Sequence, residues 1–471
     1  MPLAMKSLPL VFQVLLTCFF HTTPVTASSE NLRAATQPNV IIIFADDLGY
    51  GDLGCFGHPT IRTPELDRMA REGMKLTQFY SAAPVCTPSR AALMTGRLPA
   101  RNGMCSNKRR VLFPNSKGGL PASEITLAER LQDQGYATAC IGKWHLGHRD
   151  QYLPTRHGFD SYFGIPYSND MDRNPDSPKG RDAFLKPLFQ YWNVPLMRDQ
   201  NIVERPVDQR TITKRYTEEA INFIHSNNSQ PFFLYLPHSL PHVPLFRSSS
   251  FVGRSPRGLY GDVIEEIDWS VGQILETLRQ TGISENTLVF FTSDNGPWLI
   301  FNEQGGSAGL LRGGKGSTWE GGMREPTLAW WPKTIPPNSV ATDICSTMDI
   351  YATVHHAAGI SLPQDRTLDS YDMMPILTGL GTSMRKLLFY YRGYNLMAVR
   401  NGPWKMHLMT QKSYGQPDPV KHDPPLLFNL DHDPSEKYNL GENRPEIIAT
   451  IMKSVVAHKA TLNPAASELE K

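Results

Sequence analysis

Residues 40–49 read Val40-Ile41-Ile42-Ile43-Phe44-Ala45-Asp46-Asp47-Leu48-Gly49, a run of apolar, mostly β-branched side chains that stops at two carboxylates. A strand with one wet face alternates apolar and polar; this one does not, which is the pattern of a parallel strand buried on both faces. The theme recurs three times. Ala137 to Ile141 ends in Gly142-Lys143-Trp144-His145, Phe232 to Leu236 in Pro237-His238 and then Pro241-His242, and Thr287 to Thr292 in Ser293-Asp294-Asn295-Gly296. Helical patterns lie between these runs: Pro64 to Gly73, Leu127 to Gln134, Tyr216 to His225, and Asp262 to Arg279 with Val263, Ile267, Val271, Ile274 and Leu278 on one face. Strands alternating with helices predict βαβ units and an α/β fold with a mostly parallel sheet flanked by helices. Ligands of such sheets bind beyond the carboxyl ends of the strands. That rule gathers Asp46, Asp47, Lys143, His145, His242, Asp294 and Asn295 along one edge.

The last hundred residues change character. Leu388 to Tyr391, Met397 to Arg400, Trp404 to Leu408 and Leu426 to Leu430 are short strand-like runs, with Asn401-Gly402 as a hairpin signal, and Pro445 to Ala460 reads as a closing helix. The expected organisation is a signal peptide over residues 1–27, a catalytic α/β domain over 38–375, and a C-terminal subdomain over 376–471 built from a small antiparallel sheet plus a helix. At the N-terminus, Lys6, the apolar run Leu8 to Phe20 and the small residues Val25, Thr26 and Ala27 are the parts of a secretory signal. No stretch reaches the length of a membrane span. Export to the periplasm or exterior is therefore expected, or to the lysosome in an animal.

The 471 residues carry 47 basic and 45 acidic side chains, a formal charge of +2, so composition gives no reason to expect nucleic acid as a partner. Attraction for an anionic ligand must be local. Asp46, Asp47, Asp294 and the side-chain oxygen of Asn295 form a hard-oxygen set suited to Ca²⁺ or Mg²⁺. Cys86-Thr87-Pro88-Ser89-Arg90 precedes good helix formers, which places Cys86 at a helix N-terminus, where unpaired N–H groups favour an anionic nucleophile, with Arg90 one turn on. From these residues alone, a reactive thiolate and a plain buried cysteine both remain open. Cys55, Cys105, Cys140 and Cys345 read as structural or free.

Cys86-x-Pro-Ser-Arg followed by Ala91-Ala92-Leu93-Met94-Thr95-Gly96-Arg97 resembles the sulfatase signature, and the likeness runs through Gly142-Lys143-Trp144-His145-Leu146-Gly147-His148 to Pro424-Pro425-Leu426. Gly164-Ile165-Pro166-Tyr167-Ser168 and Gly314-Lys315-Gly316-Ser317-Thr318-Trp319-Glu320-Gly321-Gly322 bring it nearest to the arylsulfatase A and N-acetylgalactosamine-6-sulfatase branch. The resemblance implies an alkaline-phosphatase-like fold and oxidation of Cys86 to Cα-formylglycine by a formylglycine-generating enzyme. It also implies one Ca²⁺, ahead of Mg²⁺, on Asp46, Asp47, Asp294, Asn295 and the residue-86 oxygen. Arg90 and the metal would stabilise the ionised aldehyde hydrate that attacks sulfur, and His242 and Lys315 would contact the sulfate and the leaving oxygen. Lys143 would support the residue-86 oxygens, His145 would deprotonate the second hydroxyl so that sulfate is expelled, and Ser168 would assist binding. The implied substrate is a sulfate ester, aryl or, more in keeping with exported relatives, carbohydrate. A phosphoester or phosphonate hydrolase of the same superfamily and a non-catalytic glycan-binding pseudoenzyme are the competing readings.

Overall fold

The structure, a computed structural model, describes Met1, residues 37–413 and residues 418–471. The expected signal peptide, Met1 apart, lies outside the described residues. The strands of the larger part are β1 (Asn39–Ala45), β2 (Met74–Leu76), β3 (Phe79–Tyr80), β4 (Ala137–Ile141), β5 (Ser161–Gly164), β6 (Leu196–Arg198), β7 (Asn201–Glu204), β8 (Phe232–Pro237), β9 (Thr287–Ser293), β10 (Thr327–Trp330), β11 (Ser339–Ala341) and β12 (Cys345–Ser346). Ten of them form one sheet in the order β11-β2-β10-β9-β1-β8-β4-β5-β6-β7. The centre, β9-β1-β8-β4-β5, is parallel, whereas β10 joins β9 antiparallel and β5, β6 and β7 pair antiparallel in turn. The four runs read from the sequence are four of these central strands.

Their continuous apolarity has the expected cause. Ile41, Ile43, Leu234, Leu236, Val289 and Phe291 face one core layer, and Val40, Ile42, Phe44, Phe233, Tyr235, Leu288 and Phe290 face the other. The principal helices are α1 (Pro64–Glu72), α2 (Cys86–Thr95), α3 (Leu127–Gln132), α4 (Ile212–Asn227), α5 (Gly258–Gln280), α6 (Asp349–Ala357) and α7 (Pro445–Thr461). Helices α1, α4 and α5 give apolar side chains to the first layer, and α2, α3 and α6 to the second. Large apolar side chains fully removed from water, as Ile41 and Phe290 are, contribute about 1.5–3 kcal/mol each, so the two layers together dominate the stability of the sheet.

The C-terminal strands β13 (Leu387–Arg392), β14 (Asn395–Asn401), β15 (Trp404–Thr410) and β16 (Val420–Asn429) make an antiparallel sheet in sequence order, with α7 packed on it through Ile451 and Val455. The last strand differs from the run expected over Leu426 to Leu430: it starts at Val420 and stops at Asn429. Pro424 and Pro425 lie inside it, between Lys421 and Leu426, where the pairing with β15 is interrupted by a register shift, and an edge strand tolerates proline at such an irregularity. Cys55, Cys86, Cys105, Cys140 and Cys345 are all free thiols. No described helix is long and apolar enough to cross a membrane.

Candidate active site

Register builds the site. In the parallel β1–β9 pair Ala45 lies opposite Ser293, so the next residues, Asp46-Asp47 and Asp294-Asn295, leave the sheet side by side. Strand β8 brings the chain to His242, and β4 ends at Ile141, just before Gly142, whose φ of +138° and closeness to Pro237 O suit only glycine; a Cβ there would lie 1.9 Å from that carbonyl. Lys143 and His145 follow. Helix α2 begins at Cys86, the first helical residue after the extended Val85. Asp46, Asp47, Cys86, Arg90, Lys143, His145, Ser168, His242, Asp294, Asn295 and Lys315 are all buried. The structure thus brings every residue singled out from the sequence to the same sheet edge.

Their contacts are specific. Arg90 donates from Nε (3.0 Å) and Nη2 (2.8 Å) to Asp294 Oδ2 and from Nη1 to Lys143 O (2.8 Å). Lys143 Nζ pairs with Asp46 and donates to Ser168 Oγ at 3.1 Å. Lys315 Nζ donates to Asp47 Oδ2 at 2.8 Å, and His242 Nε2 lies 3.6 Å from the same oxygen. Cys86 Sγ lies 3.5 Å from Asp46 Oδ1. Asp47, with φ +66°, and His145, with φ +58°, both hold left-handed backbone conformations. Such geometry costs of order 1–3 kcal/mol in a non-glycine residue and tends to mark functional positions.

The electrostatics favour a bound cation. Burial raises Asp47 to about 7, against the pull of Lys315, with Asp46 and Asp294 adding repulsion. Burial and Asp46 raise Asp294 to about 6 despite Arg90 and Lys143. Asp46 is also buried, yet Lys143, His242, Arg90 and Lys315 hold it well below the usual carboxylate range. Ligand atoms of Asp46, Asp47, Cys86 and His242 all lie within 4.8 Å of one another. Asn295 donates from Nδ2 to Asp47 Oδ1 (2.7 Å) and Gly296 O (3.0 Å), which fixes its amide orientation and leaves a buried Oδ1 without a partner. Clustered carboxylates plus an orphaned amide oxygen fit a hard divalent ion.

Two side chains behave in ways their spacing did not disclose. Burial pushes the Cys86 thiol far up, and neither Lys143 nor Lys315 offsets it, so the helix N-terminus does not make this thiol a thiolate. Cys86 as a free thiol is a poor nucleophile. His145 Nε2 lies 2.9 Å from Leu112 O; a carbonyl only accepts, so Nε2 carries the hydrogen and Nδ1 bears the free lone pair. That Nδ1 is buried without a partner, and burial, with Lys143 beside it, keeps the imidazole neutral.

Sequence reasoning missed several neighbours. Trp298 places its ring 4.3 Å from Lys315 Nζ and 5.2 Å from the His242 ring; its place four residues after Asp294 was the available signal. Thr87 accepts from Leu112 N (3.2 Å) and donates to His145 O (3.0 Å), tying α2 to the segment of His145. The loop bearing Lys315 is gripped from the C-terminal sheet. Lys405 Nζ donates to Thr318 O (2.8 Å) and Glu320 Oε1 (2.9 Å) and lies 3.0 Å from Glu436 Oε1, while Glu320 N donates to Glu436 Oε2 (2.7 Å). Gly316 N donates to Pro84 O (2.8 Å), two residues before Cys86. No spacing rule links residues this far apart in the chain.

Comparison with known proteins matches residues 38–360 to the family described as Sulfatase and residues 383–471 to that described as C-terminal region of aryl-sulfatase. Arylsulfatase A from Bos taurus is 43% identical over 91% of this chain and 88% of its own length. N-acetylgalactosamine-6-sulfatase from Mus musculus is 41% identical over 93% of this chain and 89% of its own. Among solved structures, Ps i-CgsB in complex with k-i-k-neocarrahexaose superposes with a TM-score of 0.77 at 31% identity, covering 92% of this chain and 95% of that one.

Proposed function

The chain belongs to the sulfatase family and is a sulfuric ester hydrolase, and from that premise we propose that it acts on carbohydrate sulfates through a formylglycine at position 86 beside one Ca²⁺. The observation that carries the reading is the convergence of Cys86, Arg90, Lys143, His145, His242 and Lys315 around the oxygen-rich cluster. Asp46, Asp47, Asp294 and Asn295 would hold the ion, whose positive charge would draw electron density from the sulfate oxygens. Converted to Cα-formylglycine, residue 86 supplies as its hydrate one hydroxyl for attack on sulfur and a second whose deprotonation releases sulfate.

The protein's own groups are placed for the remaining work. Arg90, clamped by Asp294 and the Lys143 carbonyl, presents a guanidinium that cannot lose its proton at the foot of residue 86. Lys143 and Lys315 add two ammonium groups, so charge developing on sulfate oxygens is met without reorganisation. His242 Nδ1 donates to Val243 O, which leaves Nε2 facing Asp47 and the site, where it would meet the leaving oxygen. His145 Nδ1, neutral and unpartnered, is the group able to take a proton from residue 86. The enclosure of these groups keeps bulk water out, which strengthens each interaction. A sugar leaving group is supported by two similar proteins: one relative is named for N-acetylgalactosamine 6-sulfate, and one solved structure holds a neocarrahexaose.

The test is the mass of the peptide containing residue 86, from protein made in its natural host. Formylglycine has one sulfur and two hydrogens fewer and one oxygen more than cysteine, so the peptide should be about 18 Da lighter and form a hydrazone. An unmodified thiol in active protein would remove the proposed nucleophile.

A further inference from the structure

The cleft is furnished for an anion, with Arg90, Lys143 and Lys315 around the cluster, yet one more carboxylate sits at its edge. Asp170 faces the ammonium groups of Lys315 and Lys143 and neighbours the Ser168 hydroxyl. Its Oδ1 is enclosed and has no hydrogen-bond partner. It is not part of the clustered ligand set around Asp46 and Asp47. Ser168 and Asn169 are buried and Asp170 as a residue is half-buried, although its Oδ1 is enclosed.

The segment that carries it is fixed in place. Asn169 Nδ2 donates to Gln209 Oε1 (3.1 Å), Pro244 O (3.1 Å) and His242 O (3.3 Å), Gln209 Nε2 donates back to Asn169 O (3.0 Å), and Met171 N closes a turn on Ser168 O (3.1 Å). Asp170 is thereby locked to the backbone of His242, the residue that faces the leaving oxygen. An enclosed acceptor without a donor is costly, and a site built around one rejects ligands that bring no donor. A sulfate monoester is a monoanion with acceptors only, so it cannot satisfy Oδ1. The donor must come from the alcohol part of the substrate.

Resting on the reading of this cleft as a sulfate ester site, we infer that Asp170 is a specificity-determining residue that accepts a hydrogen bond from an O–H or N–H group next to the sulfated carbon. The substrate class is then a sulfate ester whose leaving group carries a free vicinal hydroxyl or acylamino N–H, as sugars and amino sugars sulfated on a ring hydroxyl do, rather than a simple aryl or alkyl sulfate. His242 and Lys315 serve every sulfate ester alike; Asp170 adds the preference.

Two chromogenic esters separate the cases. Nitrocatechol sulfate carries one hydroxyl beside the sulfated oxygen and para-nitrophenyl sulfate carries none; both are assayed at mildly acidic pH, where that hydroxyl keeps its proton. Asp170→Ala should lower the ratio of kcat/KM for nitrocatechol sulfate over para-nitrophenyl sulfate by about tenfold or more, and Asp170→Asn, a weaker acceptor, by a smaller factor in the same direction. If the alanine variant does not fold, the isosteric asparagine variant carries the measurement alone. A ratio unchanged from wild type, or equal losses on both esters, overturns the role of Asp170 and leaves the sulfatase reading standing. Wild-type enzyme that cleaves neither ester and also releases no sulfate from monosaccharides sulfated on a ring hydroxyl overturns both.

Discussion

His145 and His157 are both buried imidazoles, and their surroundings give them different consequences. Leu112 O fixes the tautomer of His145 and leaves Nδ1 as a lone base among cations. If that base acts only when sulfate is expelled, His145→Gln should still release the first alcohol. Stopped-flow assays should show a burst of about one alcohol per active site, with steady turnover lowered by about 10²–10⁴-fold. A variant with no burst would place His145 in the first step instead. His157 has neither ring nitrogen partnered, and burial lowers it from 6.5 to about 4 while its ring lies 6.0 Å from that of Trp144. Its folded pKa is below its unfolded one, so the unfolded chain binds the extra proton between those values. The contribution is complete above 6.5 and is lost as pH falls towards 4. His157→Phe should flatten the decline of unfolding free energy across that window by about 1.4 kcal/mol per pH unit, read by urea titration at several pH values. An unchanged slope would show that His157 takes up its proton without unfolding.

Among the elements, β15 has the least expected part in the site. Its Lys405 inserts between Glu320 and Glu436 and hydrogen-bonds Thr318 O, so a strand of the C-terminal sheet fixes the loop that aims Lys315. Removing a buried cation from between two carboxylates leaves uncompensated charge. Lys405→Met should cost about 3–5 kcal/mol in chemical unfolding, and Lys405→Met with Glu436→Gln should recover part of that loss. A cost within the range of surface changes would mean the network rearranges freely. Such a link is invisible in the chain, whereas the edge formed by β1, β4, β8 and β9 is legible. These strands are buried on both faces, so their composition alone declares them, and the polar residue after each apolar run is placed by the parallel topology. Strands β2, β5, β6 and β10 have three or four residues each, too few to show a period, and their pairing depends on β9 and β4 being there already. Asp46, Asp47, Lys143, His145, Asp294 and Asn295 can be read as strand-end residues. Asp170 and Trp298 lie on loops, where no period operates, and the tautomer of His145 depends on a carbonyl 33 residues away.

For the molecule as a whole, the cluster joins the first strand to the ninth: Asp47 N donates to Asp294 Oδ1 across a separation of 247 residues. A ligand held only when both segments are in place binds the folded chain and not the unfolded one. Ca²⁺ should therefore raise Tm, by the equivalent of about 2.7 kcal/mol when its free concentration is a hundred times Kd. Excess chelator should reverse the shift. Mg²⁺ at equal concentration should give a smaller one, because it demands a tighter octahedron and gives up water reluctantly. Asp47→Asn should abolish the Ca²⁺ response in thermal scans without relying on any assay of turnover, and should do so in protein whose residue 86 is still cysteine. Lys315 and Lys143 already neutralise part of the cluster, so the apo protein should remain folded and show a lower, still cooperative transition. Identical Tm values in Ca²⁺ and chelator would mean that these lysines, rather than an ion, hold the carboxylates together, and the oxygen set would then be a structural charge network.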